Sequence, residues 1–239
     1  MTAPTDLDRP DPFVRTARTR RIGLAAAMIV APWLLVAAET ANAVMTLDGD
    51  DLTPSGELAL ASEHLTLDRW ASLAALLGAL LLVPAVLGIM RLVRTGAAWL
   101  GLTGGVLTAA AYICYFAMVF HGFTTDAMVS VGGSMSQNEH VLQAVLDEPL
   151  TLWVYMLFVV GNVVGTFLLG LALVRARTAA RIAGYGLMAW PVLHLLDFPF
   201  AEAVGATAQA VGFAVAAGAL LRRSATNEAP PQPYELLRR

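Results

Sequence analysis

Lysine is absent from this 239-residue chain, and cysteine occurs only once. All fifteen basic residues are arginine, a usage that together with Ala-rich runs is typical of a bacterial sequence. No basic patch alternates with aromatic residues, so we expect no nucleic-acid partner. Cys114 lies inside an apolar run, and a single cysteine excludes both an intrachain disulfide and a cysteine metal cage.

Motifs for familiar catalytic chemistry are also missing. The chain has no Walker loop, no dinucleotide fingerprint, no Gly-x-Ser-x-Gly elbow and no paired-histidine zinc motif. We therefore predict no cofactor and no bound metal. The acidic and histidine side chains described below leave a metal site open as an alternative.

Charged residues are scarce as well, at 14% of the chain against 57% hydrophobic residues. With a mean hydropathy of +0.65, the chain is too apolar for an ordinary soluble domain. The composition predicts an all-α integral membrane protein, a bundle of transmembrane helices surrounded by the lipid bilayer.

Long apolar runs predict six transmembrane helices. The first four are expected at about 22–47, 70–93, 97–120 and 151–174. The last run, 182–221, would be about 60 Å long as one helix, twice the roughly 30 Å of bilayer hydrocarbon. Because Pro199 disfavours helix in the residue before it, we expect a hairpin of two helices with a bend at 197–200.

The arginines predict the orientation of these helices. With both termini in the cytoplasm, fourteen of the fifteen arginines are cytoplasmic, and 48–69 and 121–150 form outer loops. We expect a multi-pass protein of the plasma membrane, with a transmembrane domain at 22–223 between disordered cytoplasmic tails at 1–21 and 224–239. In the second outer loop, Ser136 and Glu139 predict a capping box that begins a short helix.

A weak internal repeat relates helices two and three to helices four and five. A shift of 83 residues aligns Gly78 with Gly161, Arg94 with Arg177 and Gly101 with Gly184. Both segments have the same predicted direction through the membrane, so the repeat would be a parallel one, about an axis along the membrane normal.

Ionisable residues in the apolar runs are candidate functional residues, because each costs about 2.5 to 3.5 kcal/mol at mid-bilayer. The predicted topology places all of them in or near the outer half of the membrane. They are Glu39, His121, His194, Asp197 and Glu202.

His194 and Asp197 are three residues apart and would share a helix face, as an imidazole and an orienting carboxylate do in acid–base catalysis. We predict Glu39, His194 and Asp197 as candidate catalytic residues. We predict His121, Glu202 and Trp190 as candidate ligand-binding residues. A purely structural role is the alternative, in which Asp197 caps the bend and His194 bonds a neighbouring helix. We also expect the side chains of Glu39 and His194 to approach each other in a pocket that opens outward.

Two classes of function fit these residues. The first is a transporter-like, immunity or accessory protein that binds or passes a small lipophilic or cationic ligand, as a homodimer or with a partner membrane subunit. The second is a membrane-embedded, cofactor-independent cyclase or isomerase acting on a lipophilic substrate such as a terpenoid or polyketide.

Overall fold

The computed structural model describes residues 12–48, 53–196 and 200–222, and within these ranges the chain is helical without strands. A single 3-10 turn, Thr46–Asp48, follows the first helix. The α-helices are α1 (Pro12–Met45), α2 (Pro54–Val93), α3 (Ala98–Val131), α4 (Met135–Leu146), α5 (Pro149–Ala176), α6 (Arg181–Leu193) and α7 (Ala201–Arg222).

Five of these helices are long and apolar enough to cross a membrane. They are α1, counted from Thr16, and α2, α3, α5 and α7. The predicted class, an integral membrane protein built of helices, is therefore supported. The short α6 does not meet the same criterion, since its 13 residues span only about 20 Å and a membrane helix needs about 20 residues.

Six helices form a closed ring in the order α1, α2, α3, α5, α6 and α7, with α7 packed back against α1. The amphipathic α4 lies outside the ring, between α3 and α5 in sequence, and contacts α2 and α5. α6 and α7 pack against each other as the sequence predicts for the last apolar run. Residues 197–199, where the bend is predicted, lie outside the described residues.

Glycine allows the helices to pack closely in three antiparallel pairs, α1 with α2, α3 with α5, and α6 with α7. In each pair, a glycine of the second helix lies against two residues of the first helix. One residue contributes its backbone carbonyl, and the residue four positions after it contributes its side chain. The carbonyl residues, at positions 31, 107 and 183, are 76 residues apart. The three contacts are Gly78 with Ala31 and Leu35, Gly161 with Leu107 and Ala111, and Gly212 with Ala183 and Leu187.

The helix ends also follow the 83-residue shift seen in the sequence. α2 ends at Val93 and α5 at Ala176, while α3 begins at Ala98 and α6 at Arg181. The repeat of helices two and three in helices four and five remains a prediction. The packing groups the helices differently, because each glycine contact joins α1–α2, α3–α5 or α6–α7.

The short helix predicted in the second outer loop is present as α4, but the neighbouring long helices also extend into both predicted loops, so the loop boundaries were wrong. α2 begins at Pro54, where the Thr53 hydroxyl accepts a hydrogen bond from the Gly56 amide at 3.2 Å, and α3 continues to Val131. Polar residues mark where the apolar spans end. The helix itself can continue through them until it reaches a capping residue further along the chain. A break in helical geometry at His64 separates the N-terminal part of α2 from the rest.

Two other boundaries differ from the sequence prediction. α1 begins at Pro12, inside the predicted tail 1–21, because this Arg-rich segment contains no residue that stops a helix between Pro12 and the apolar run. The N-cap of α4 is Ser134 and not Ser136, which lies within the helix. Tail residues 1–11 and 223–239 lie outside the described residues.

Candidate ligand site between the helices

A small cavity lies inside the ring, toward the end of the bundle where α6 and α7 join. Its volume of about 20 Å³ is enough for one water-sized group. Side chains from α1, α3, α5, α6 and α7 surround it. They are Leu35, Glu39, Tyr112, Tyr115, Phe158, Asn162, Trp190, Ala206 and Gln209.

Glu39 is the carboxylate of this cavity. It lies four residues after Leu35 and therefore on the same face of α1, the face that packs against the other helices. The Glu39 carboxyl group is close enough to interact electrostatically with that of Glu202, which lies in the first turn of α7. The ring closure between α1 and α7 brings these two acidic residues together.

His194 completes the group. Its Nδ1 lies 3.0 Å from Glu202 Oε1, within ion-pair distance. The side chains of His194 and Glu202 are 29% and 53% exposed, so this end of the group reaches the surface. The contact with Glu202 raises the pKa of His194, which lies in the turn after α6, and partial burial of the imidazole opposes that rise.

Trp190 connects His194 with the cavity. The indole lines the cavity, and the imidazole of His194 stacks on it with ring centroids 4.9 Å apart and an interplanar angle of 14°. Trp190 and His194 are four residues apart, so the C-terminal turn of α6 places both on one face.

Buried neutral polar side chains form the far wall. Tyr112, Asn162 and Gln209 are each at most 4% exposed, and the Tyr112 hydroxyl is within hydrogen-bonding reach of both amides. Asn162 Oδ1 accepts a hydrogen bond from Thr166 Oγ1 at 3.1 Å. The amide nitrogens of Asn162 and Gln209 have no well-formed hydrogen bond to the described residues. Two unpaired donors in a buried polar cavity favour a bound hydrogen-bond acceptor there.

Aromatic rings cover the rest of the cavity. Tyr115 and Phe158 are stacked with centroids 4.9 Å apart, and Tyr112 makes edge contacts with both at 6.0 and 6.3 Å. With Trp190, four aromatic side chains surround the space next to Glu39.

His121 does not line this cavity. Its Nε2 lies 3.3 Å from Glu57 Oε1, and Thr125 donates to the same Glu57 oxygen at 2.9 Å. This second cluster lies between the N-terminal part of α2 and the C-terminal part of α3. Asp68 and Asp126 interact next to it, and Arg69 donates a hydrogen bond to Ser130.

The structure thus brings together Glu39, His194, Glu202 and Trp190 of the predicted site residues, and separates His121 from them. Asp197 lies outside the described residues. Within the described ranges, no group of three or more His, Cys, Asp or Glu side chains could hold a metal ion.

The sequence alone does not single out Tyr112, Tyr115, Phe158, Asn162 or Gln209. Asn162 and Gln209 carry a signal, because a neutral amide inside an apolar run needs a polar partner. The aromatic residues carry none, since membrane helices contain many aromatic residues that face lipid.

The long apolar helices define a multi-pass helical membrane protein, and the cavity adds a buried polar site within its bundle. No protein-family model, no characterised protein and no solved structure matches the chain. The function is therefore inferred from the chemistry of the site.

Proposed function

We propose that this is a plasma-membrane protein of a bacterium, with six spans and cytoplasmic termini, that binds or passes a small lipophilic cation in the cavity beside Glu39. One observation carries the ligand class. The cavity combines one carboxylate with four aromatic rings, those of Tyr112, Tyr115, Phe158 and Trp190. A carboxylate within an aromatic enclosure fits an organic ammonium group, which is attracted both to the negative charge and to the ring faces.

The size of the cavity limits the part of the ligand that it accepts. About 20 Å³ is close to the space of one ammonium group and is too small for a terpenoid. A compact cationic head beside Glu39, with an apolar remainder directed along the aromatic rings, agrees with this volume. A bulkier head would require the stacked rings of Tyr115 and Phe158 to move.

Binding of butylammonium, compared with that of the neutral alcohol 1-pentanol, tests the proposal. Purified protein in detergent is titrated with each compound, and heat or tryptophan fluorescence reports binding. We expect saturable binding of butylammonium and binding of 1-pentanol that is at least about tenfold weaker, because the alcohol has no charge for Glu39.

Glu39→Gln should weaken butylammonium binding about tenfold or more and leave 1-pentanol binding unchanged. Glu63→Gln is the matched control, since Glu63 is an exposed carboxylate of α2 away from the cavity. Equal binding of both compounds, or an unchanged affinity in Glu39→Gln, would contradict the proposed function.

A membrane-embedded enzyme is the second candidate, favoured by the 3.0 Å contact between His194 and Glu202. An imidazole next to a carboxylate can act as a general base. Such an enzyme, acting on a small lipophilic substrate, would lose product formation in Glu39→Gln while substrate affinity stayed within a few-fold. Unchanged turnover in that variant would eliminate this candidate.

A further inference from the structure

Two carboxamide side chains from different helices form part of the far wall of the cavity. Asn162 belongs to α5 and Gln209 to α7, and the two residues are 1% and 2% exposed. Both line the cavity, and neither amide nitrogen has a hydrogen-bond acceptor among the described residues. Because buried N–H groups are nearly always paired, two unpaired amides at one cavity favour a bound group that accepts from them.

A hydrogen bond within α5 fixes the orientation of the Asn162 amide. Its oxygen Oδ1 accepts from Thr166 Oγ1 at 3.1 Å, one helical turn further along the chain. Thr166 does not line the cavity, so the amide oxygen is used within α5. The amide nitrogen is the polar atom of Asn162 that remains for a group in the cavity.

Tyr112 also lines the cavity, but its hydroxyl cannot accept from all of these donors. Each amide nitrogen carries two N–H bonds, whereas a hydroxyl oxygen has two lone pairs in total. If Tyr112 accepted one hydrogen bond from each amide, one N–H of Asn162 and one of Gln209 would still remain. The far wall therefore offers at least two donors.

An ammonium group cannot accept these hydrogen bonds, because its N–H bonds are all donors and it has no free lone pair. Its partner in the cavity is the carboxyl group of Glu39, on α1. The cavity thus combines an acceptor on one side with donors on the other. A ligand that satisfies both sides needs an acceptor oxygen next to its ammonium group.

We propose that the ligand is a 2-amino alcohol, an organic ammonium ion with a hydroxyl group on the second carbon from its nitrogen. The ammonium group lies next to Glu39, and the hydroxyl oxygen accepts hydrogen bonds from Asn162 and Gln209. This inference rests on the proposed function, since it specifies the ligand of the same site.

The size and charge of the cavity favour a hydroxyl group over other acceptors. A carboxylate would place a second negative charge beside Glu39, where like charges repel. A hydroxyl group is close in size to water, for which a volume of about 20 Å³ is sufficient. The ammonium and hydroxyl groups together need more space, so the stacked rings of Tyr115 and Phe158 must separate on binding.

Two ammonium ions of the same charge and nearly the same size test the inference. They are 2-hydroxybutylammonium and 2-methylbutylammonium, which differ by a hydroxyl group in place of a methyl group. Purified protein in detergent is titrated with each compound in a calorimeter. We expect 2-hydroxybutylammonium to bind at least about tenfold more tightly, because the methyl group leaves both amides unpaired.

Gln209→Met and Asn162→Leu each remove one amide and keep the approximate size of the side chain. Each variant should lose most of the preference for the hydroxyl compound. Gln137→Met is the matched control and should keep the preference, since Gln137 is an exposed residue of α4. Replacement of an unpaired buried amide by an apolar side chain of similar shape is not expected to prevent folding.

The possible results separate this inference from the proposed function. Equal binding of the two compounds to wild-type protein, as expected if a water molecule pairs with the amides, would overturn the inference and leave the proposed function intact. No binding of these compounds or of butylammonium would overturn both. A preference for the hydroxyl compound that both amide variants retain would exclude Asn162 and Gln209 as its hydrogen-bond donors.

Discussion

The contact between His194 and Glu202 links the folded state to pH at the scale of single residues. Glu202 raises the pKa of His194 above the usual value of about 6.5. A raised folded-state pKa means that the contribution to stability is fully present below the unfolded pKa. That contribution is lost as the pH rises through the higher folded value.

We therefore expect wild-type protein to lose more stability than Glu202→Gln when the pH is raised from about 6 to about 8.5. Thermal unfolding in a mild detergent at several pH values measures the difference between the two proteins. His140→Gln serves as the control, because His140 lies in α4, outside the ring of helices. The same pH dependence of stability in wild type and Glu202→Gln would mean that the contact between His194 and Glu202 does not stabilise the folded protein.

The sequence predicts the charged part of the site better than its neutral part. Glu39 and His194 are conspicuous because charge in an apolar run is costly, and their approach is expected from a shared depth in the membrane. Tyr112, Asn162 and Gln209 come from three different helices. These residues meet only because their helices are arranged in a particular order around the ring. The sequence alone does not predict that order.

At the scale of helices, the glycine contacts determine how closely neighbours approach. A Cβ atom at position 212 would lie 2.7 Å from the Ala183 carbonyl oxygen and 2.7 Å from a Leu187 methyl group. A backbone carbonyl cannot rotate away as a long side chain can, so α6 and α7 would have to separate.

Gly212→Ala should therefore destabilise the protein by about 1 to 3 kcal/mol, even though alanine favours helix over glycine. Thermal or denaturant unfolding in detergent measures the loss. Gly23→Ala is the matched control, since a Cβ there meets nothing within 4 Å, and it should be neutral or slightly stabilising. Equal effects of the two substitutions would show that close packing of α6 on α7 is unimportant.

The sequence predicts which segments form helices more reliably than it predicts where those helices begin and end. Apolar runs give the five long spans, but α2 and α3 extend well past the apolar boundaries at Trp70 and Phe120. Those extensions are stabilised by the Thr53 cap and by contacts such as that of His121 with Glu57. Both depend on α2 and α3 lying next to each other.

At the scale of the whole molecule, the antiparallel packing of neighbouring helices supports one orientation of the protein in the membrane. The C-termini of α2, α5 and α7 and the N-termini of α3 and α6 lie at one end of such a ring. This end carries Arg91, Arg94, Arg175, Arg177, Arg181 and Arg222. An end rich in arginine is expected to face the cytoplasm.

Reporter fusions made after Arg94 and after Arg223 should both report the cytoplasm, as the proposed six spans require. A fusion in α4, for example after His140, is the control and should report the outside. An external signal after Arg223 would mean that the last apolar run crosses the membrane once.

Since six spans are few for a transporter, we also expect a homodimer or a partner membrane subunit.

The shortness of α6 has a consequence for the surrounding lipid. A helix of about 20 Å beside neighbours that match a hydrocarbon layer of roughly 30 Å creates hydrophobic mismatch on one side of the ring. The leaflet next to the α6–α7 end is expected to thin or to admit water there, at a cost of fractions of a kcal/mol per Å. The polar group of His194 and Glu202 would then meet water at a local dip in the bilayer, and lipids with shorter acyl chains should gather around this flank.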